Sequence, residues 1–336
     1  MNKSTTKTEM FVKHLQVRPG QFQFFQHEFA DAVMQAGVKG MEEKNCSGWI
    51  RKEYYLAKGM LKSVASVFGS RRKDIIIVPC RGDDMHYKSL VYYPNYEIVP
   101  MLWDAWPVHW PKTCKALKML HVKLCFCSSR QVASLIKEKL GIQTVWMPEG
   151  IDIRKYEDPL KPLAERCIDV FELGRHYDRY HAAVEKLIAS GTVQNYRGKQ
   201  TDADGNLTEL AFPTAESLIE GMRDVKCIPC FPRCMTHPQV AGDIETLTIR
   251  YWECMLSGCL IVGHAPQELI DVVGYNPVIE VDWTDAEGQL THILTHIEQY
   301  EELVQKNHQT ALNHASWDNR MPMLLNTLEE YISSRR

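Results

Sequence analysis

No uninterrupted apolar run in this sequence approaches the roughly 20 residues that a membrane-spanning helix needs. Met1 to Met10 have no apolar core, so the chain does not open like a signal peptide. It also has no internal repeats and no low-complexity tracts. Across 336 residues, 45% are hydrophobic and 24% charged, which fits a globular chain long enough for two ordinary domains. A cytoplasmic location is the simplest expectation. The basic residues are dispersed and no recognition motif is evident, which argues against nucleic-acid binding. The eleven cysteines are an odd number in a large chain, so free thiols are expected rather than a disulfide framework. Cys80, Cys125, Cys127 and Cys259 sit within apolar strand-like runs, where cysteine behaves as a small hydrophobe.

The net charge is only −3, but it is unevenly spread. Residues 1–140 hold 22 Lys and Arg against 12 Asp and Glu, a net of +10; the remaining 17 and 30 give −13. A basic front half suits an anionic membrane, a phosphorylated acceptor or nucleic acid. Two halves that attract one another would explain it equally well.

From Asp74 onward, strands and helices alternate. Asp74–Pro79, Tyr96–Leu102, Lys123–Cys127 and Gln143–Met147 read as strands, with a helix up to Leu120 from near Pro107 and another over Ser129–Leu140. A polar stretch with Pro159 and Pro162 resembles a linker. The rhythm resumes with strands at Ile168–Leu173, Val225–Ile228, Leu260–Val262 and Val278–Val281, a helix over Asp178–Ala189, and closing helices over Ala286–Asn307 and Met321–Ser333. The fold expected is α/β, with two Rossmann-like parallel-sheet domains facing a cleft. The boundaries expected are an acceptor-side domain at 1–152, a linker at 153–166, a nucleotide-binding domain at 167–316, and a last helix at 317–336 that can cross back to the first domain. Before Asp74 the pattern is weaker. Phe22–Ala36 has helical spacing, and Trp49–Phe68 is amphipathic, with Arg71-Arg72-Lys73 extending its charge. The Trp49–Lys73 segment reads either as an anionic-membrane contact or as a helix covering the sheet with a solvated lysine face.

The most informative segment runs from Glu245 to Gly263. Thr246 or Thr248 is placed to cap a helix that continues to about Leu256. Gly258 then ends it, and Leu260–Val262 forms the next strand. Glu245 would stand at the positive end of that helix with Glu253 further along it, and such a terminus suits a diphosphate. Two carboxylates beside a diphosphate site are what a sugar nucleotide requires, one for the sugar and one for the ribose.

Glu245-x7-Glu253, followed by Cys254, Gly258 and Leu260-Ile-Val262, resembles the E-x7-E motif of retaining GT-B glycosyltransferases of the family-4, "group 1" type. Ala265–Ile270 resembles the loop and helix opening that follow it. Met147-Pro-Glu-Gly-Ile-Asp152 is similar to that family's P-N-G-hydrophobic-D junction with Glu149 replacing Asn, and Leu173-Gly174-Arg175 resembles its Gly-Arg after the first donor-domain strand. Where the family carries a lysine about five residues on, this chain has Tyr180, with Arg179 one position before it. The family's E-G-F-G start is here Glu-Thr-Leu-Thr, and residues 1–70 lack its glycine-rich opening. The resemblance implies transfer of a hexose from a UDP- or GDP-linked donor to an acceptor hydroxyl with retention, by front-face attack and without a metal or other cofactor. It assigns Glu245 to the sugar hydroxyls, Glu253 to the ribose, Arg175 and Arg179 to the diphosphate, and Thr246, Thr248 and Gly174 to donor contacts. The acceptor side is expected near Trp103, Asp104, Trp106 and His109, with a lipid, a lipid-linked glycan or a soluble glycan as acceptor and a peripheral position on the inner leaflet for the lipid case. A sugar-nucleotide epimerase of the same architecture and a non-catalytic sugar-nucleotide or glycan-binding protein remain as alternatives.

Other patterns lead elsewhere. Cys227-x2-Cys230-x3-Cys234-x2-His237 has zinc-ligand residue types, but Cys227 falls on a strand and Pro229 and Pro232 break the run. Asp202-Ala-Asp204 resembles a metal-binding D-x-D, yet reads more simply as a turn, as does Asp83-Asp84. His86 is placed near the cleft without a role.

Overall fold

In the computed structural model, residues 8–14, 25–44, 53–58, 73–198, 200–201 and 207–335 are described. Two compact units divide the chain: Met1–Pro148 together with Trp317–Arg336, and Glu149–Ser316.

Short apolar runs form parallel strands because helices cover both of their faces. In the first unit, β1 (Met10–Lys13), β2 (Lys39–Met41), β3 (Asp74–Arg81), β4 (Tyr96–Trp103), β5 (Leu124–Cys127) and β6 (Gln143–Trp146) make one sheet in the order β2-β1-β3-β4-β5-β6. Every pairing in it is parallel. Ile75 to Cys80 are buried without interruption, which is why β3 reads as a continuous apolar run. The Phe25–Gln35 helix and the returning Met321–Ser334 helix share this unit's core, where Phe29, Val33, Leu324 and Leu328 pack with Ile75, Ile77, Met101 and Trp103. The Arg130–Leu140 helix opens with the Ser129 hydroxyl accepting from Val132 N and closes on left-handed Gly141, as its sequence signals require.

The second unit contains β7 (Ile168–Glu172), β8 (Tyr196–Gly198), β9 (Gln200–Thr201), β10 (Leu207–Glu209), β11 (Val225–Cys230), β12 (Leu260–Gly263) and β13 (Ile279–Glu280). Its parallel sheet has the order β13-β12-β11-β7-β8, and β9 and β10 pair separately as an antiparallel ribbon. Tyr156 and Leu163, from the proline-bearing stretch, are buried in this unit. Arg166 donates to the Val225 and Ser257 carbonyls.

The expected helix over Ala286–Asn307 is interrupted. It divides into Ala286–Thr295 and Glu301–His314, with a 3-10 turn between, because His296 leaves helical geometry at φ −123°, ψ 37°. The membrane-contact segment Trp49–Lys73 lies largely outside the described residues; residues 53–58 of it are helical. No described helix is long and apolar enough to cross a membrane. All ten described cysteines are free thiols.

Candidate functional site

The order of the second sheet reverses beside its first strand: β8 lies on one side of β7 and β11 on the other. In open parallel sheets, ligands bind at the carboxyl ends of the strands at such a switch point. Leu173, Gly174 and Arg175 follow β7 there, and Cys230 ends β11. The Ile249–Leu256 helix runs back from this edge towards β12, its inner face fixed by the fully buried Tyr251, Trp252 and Met255. It stops as expected. Gly258 adopts φ +66°, and a Cβ there would meet Arg166 and Leu160 side-chain atoms at 2.7 Å, so a side chain here is strained and must displace both.

The start of that helix differs from the expectation. Thr248 occupies the cap position but its hydroxyl does not cap. Instead Glu149 Oε2 accepts from Ile249 N at 2.7 Å, and the Glu149 carbonyl accepts from Trp252 Nε1 at 2.9 Å. A carboxylate satisfies both the unpaired N–H and the positive helix end. Thr246 is also engaged: it is buried, and its hydroxyl and Leu247 N both donate to Glu268 Oε2 at 2.9 Å. Thr246 is thus committed to Glu268, and Thr248 leaves the helix start to Glu149.

Glu245 precedes the helix by four residues and faces a different element. Its Oε1 lies 2.7 Å from His264 Nε2, and its Oε2 accepts from Gln267 N at 3.1 Å. The other imidazole nitrogen of His264 lies 2.8 Å from Glu280 Oε2, and Glu280 Oε1 accepts from Ala265 N. Burial alone would lower the His264 pKa, but the two flanking carboxylates, Glu280 ahead of Glu245, outweigh it and raise the group above its ordinary value. A raised folded pKa gives stability that is complete below the unfolded pKa of about 6.5 and is lost as pH rises through the folded value. The destabilisation caused by His264→Gln should therefore be largest near pH 6 and shrink steadily towards pH 9. Urea unfolding of both proteins across that range measures it; a penalty that grows with pH would contradict the charged-imidazole arrangement.

Arg250 was not singled out by sequence reasoning, yet it occupies the centre of this edge. Its Nη1 donates to the Leu173 carbonyl. Gly174, at φ +76°, lets the guanidinium lie so close that a Cβ there would be 3.0 Å from Nη2. Arg250 Nε is buried and has no hydrogen-bond partner. Burial pushes the Cys230 thiol up to about 11; Arg250 pulls it back, Glu253 adds to the rise and Arg175 opposes it. The charges of Arg250, Glu253 and Arg175 all act on this thiol at the end of β11. Arg179 is directed elsewhere: its guanidinium stacks over the Trp283 ring, 4.2 Å from the centroid.

In the first unit, the acceptor-side candidates separate. Trp103 is 1% exposed and packs its ring against Phe25, Phe29 and Trp317, so it has no face available for a sugar. Trp106 is also buried and donates from Nε1 to Asp104 Oδ1 at 3.0 Å. Asp104 adopts a left-handed backbone, φ 46°, beyond the end of β4. His109 sits in the Pro107–His109 turn, where its carbonyl accepts from the Thr113 hydroxyl. Sequence reasoning also missed Lys13 at the end of β1. It is fully buried, and burial lowers its pKa to about 8 against the opposing pull of Glu43 at 3.5 Å.

Of the two metal-like patterns, Asp202-Ala-Asp204 lies outside the described residues. Cys227 and Cys230 are buried on β11 with their thiols raised by burial, and the four-residue pattern does not converge on one point among the described residues.

No family model matches the sequence, and no curated protein matches it. Solved structures do match. Sucrose-phosphate synthase from Thermosynechococcus elongatus is 10% identical with a TM-score of 0.57, over 98% of this chain and 100% of that one. An α,α-trehalose-6-phosphate synthase from Burkholderia multivorans is 11% identical with a TM-score of 0.58, over 98% and 100%. HepE of Anabaena in complex with UDP and glucose is 10% identical with a TM-score of 0.58, over 96% and 100%. At these identities the likeness establishes the architecture, in agreement with the two parallel sheets of six and five strands. The chain has the α/β fold of the GT-B glycosyltransferases.

Proposed function

We propose that the chain is a glycosyltransferase that takes a sugar from a nucleoside diphosphate sugar bound on its second unit. The observation that carries this reading is the grouping of Gly174, Arg175, Arg250 and Glu253 at the β7–β11 switch point, with Arg250 Nε buried and unpartnered. A diphosphate supplies the oxygens such a guanidinium needs, and Gly174 permits close approach of the backbone. The fold neighbour HepE is known in complex with UDP-glucose, which supports a UDP-linked donor.

As the glycosidic bond breaks, negative charge develops on the departing diphosphate. Preorganised cations aimed at that charge supply the largest stabilisation available to such a step. Arg250 and Arg175 take this part, and Arg179 joins them only by leaving its stack over Trp283. Glu253 holds the ribose, and Glu245, oriented by His264 and Gln267 N, receives the sugar hydroxyls. Transfer proceeds with retention: the acceptor hydroxyl attacks from the face the diphosphate leaves, and the leaving phosphate takes its proton. No metal is assigned to the step. The basic first 140 residues suit an acceptor on a lipid or lipid-linked glycan at the cytoplasmic leaflet.

Incubating the protein with UDP-glucose or GDP-mannose alone, followed by proton NMR of the anomeric signals, tests the reaction class. The proposal expects the donor to persist or release free sugar slowly until an acceptor is added. Appearance of a new nucleotide sugar without acceptor would establish the epimerase instead, and binding with no turnover under any acceptor would leave a carrier.

A further inference from the structure

A second group of chemistry-bearing residues lies on the other side of β7, towards β8. Glu172 is the last residue of β7, His176 lies in the loop after it, and His181 is in the first turns of the Asp178–Ala189 helix. Their ligand atoms all lie within 4.8 Å of one another, and they are the one such group of His, Cys, Asp and Glu among the described residues. We propose that Glu172, His176 and His181 form a binding site for a divalent transition-metal ion, with Zn2+ as the fitting occupant.

Four features carry this. The carboxylate forms a buried floor: Glu172 is 3% exposed, and its Oε1 has no hydrogen-bond partner. A desolvated carboxylate oxygen left unpaired is costly, and a cation is what would satisfy it. Glu172 Oε2 is held in place, since Tyr196 Oη donates to it at 2.8 Å and His181 Nδ1 lies 2.5 Å away. The imidazoles stack, with centroids 4.1 Å apart and planes 7° apart, and both are partly exposed, which leaves a path for an ion.

The fourth feature is the carboxylates behind the rings. His181 Nε2 is 3.7 Å from Glu185 Oε1, and His176 Nε2 is 3.4 Å from Asp178 Oδ1. A ligating histidine typically directs its remaining N–H to a carboxylate, which fixes the ring and raises its basicity. That arrangement turns the Nδ1 of each ring to the ion, and His181 Nδ1 would exchange its present contact with Glu172 Oε2 for it. Two imidazoles and a carboxylate, with water completing the shell, is a zinc donor set. Zinc bonds of about 2.0–2.1 Å place tetrahedral ligand atoms roughly 3.4 Å apart, so side-chain adjustments of about an ångström close the site. The ion would tie the end of β7 to the following helix and fix the loop that carries Gly174 and Arg175. The inference does not depend on what that loop binds.

Titrating Zn2+ alone into the chelator-treated, nucleotide-free full chain, by isothermal calorimetry at pH 7.5, tests it. The expected result is one site per chain, with His176→Ala and Glu172→Gln each weakening it by about tenfold or more. His176→Ala is the safer variant for folding, because that ring is on a partly exposed loop. With Co2+ as the probe, a visible spectrum without a thiolate charge-transfer band supports the site. No stoichiometric binding, unchanged affinity in His176→Ala, or a thiolate band would each overturn it; the last would place the ion on one of the free cysteines.

Discussion

Replacing Arg250 with alanine should weaken binding of UDP or GDP by about 30-fold or more, the cost of removing one partner of a buried charge pair, and should slow any sugar transfer by about 100- to 1,000-fold, the loss seen when one preorganised donor to developing charge is removed. Arg250 reaches the switch-point loop through the Leu173 carbonyl, lies against Gly174, and keeps a buried Nε without a partner. Arg250→Lys retains the charge but loses the planar fork, and should recover only part of the affinity. Calorimetry with UDP and GDP measures the effect, and circular dichroism reports whether the fold survives loss of the bond to Leu173. Wild-type affinity in a folded Arg250→Ala protein would mean that the diphosphate lies elsewhere. Arg179→Ala should cost far less, because that side chain is engaged with Trp283.

Trp103→Ala should produce the largest loss of stability, about 3–5 kcal/mol, as expected for deleting a fully buried tryptophan. Its ring contacts Phe25, Phe29 and Trp317, so the deletion opens a cavity between the two helices and the sheet of the first unit. For a unit of this size that is a melting shift of roughly 10 °C. A sugar-stacking tryptophan would behave in the opposite way, leaving thermal unfolding unchanged while lowering kcat/KM for the acceptor. Differential scanning calorimetry with an activity assay separates the two roles.

These two residues also mark where the sequence was legible. Strands such as β3 and β12 are buried on both faces, so Ile75–Val78 and Leu260–Val262 announce themselves as apolar runs. β1 and β2 span only four and three residues and carry Lys13, Lys39 and Gly40, so the apolar run Met10–Val12 is too short to mark β1 and no pattern marks β2. The segment around Glu245 and Glu253 could be located from spacing and from the glycine that ends its helix. Spacing does not tell where a carboxylate turns, however. Glu245 lies in a loop, outside helical periodicity, and reaches His264; the helix start is taken by Glu149, 100 residues earlier. Arg250 lay in full view inside the motif. The available signal was a lone cation in the first turn of a helix whose next two residues are large and aromatic, a side chain that must leave the core on the ligand side. The spacing of Glu172, His176 and His181 carries no signal, because strand, loop and helix each contribute one residue.

Thermal unfolding of the wild-type protein with a panel of UDP- and GDP-sugars tests the central claim most directly, since a ligand that binds only the folded state must stabilise it. At 100 times its dissociation constant, such a donor adds about 2.7 kcal/mol. We predict a rise in melting temperature with at least one nucleoside diphosphate sugar, absent in Arg250→Ala. No shift with any of them at millimolar concentration, or an equal shift in the variant, would contradict a donor site built around Gly174, Arg175, Arg250 and Glu253.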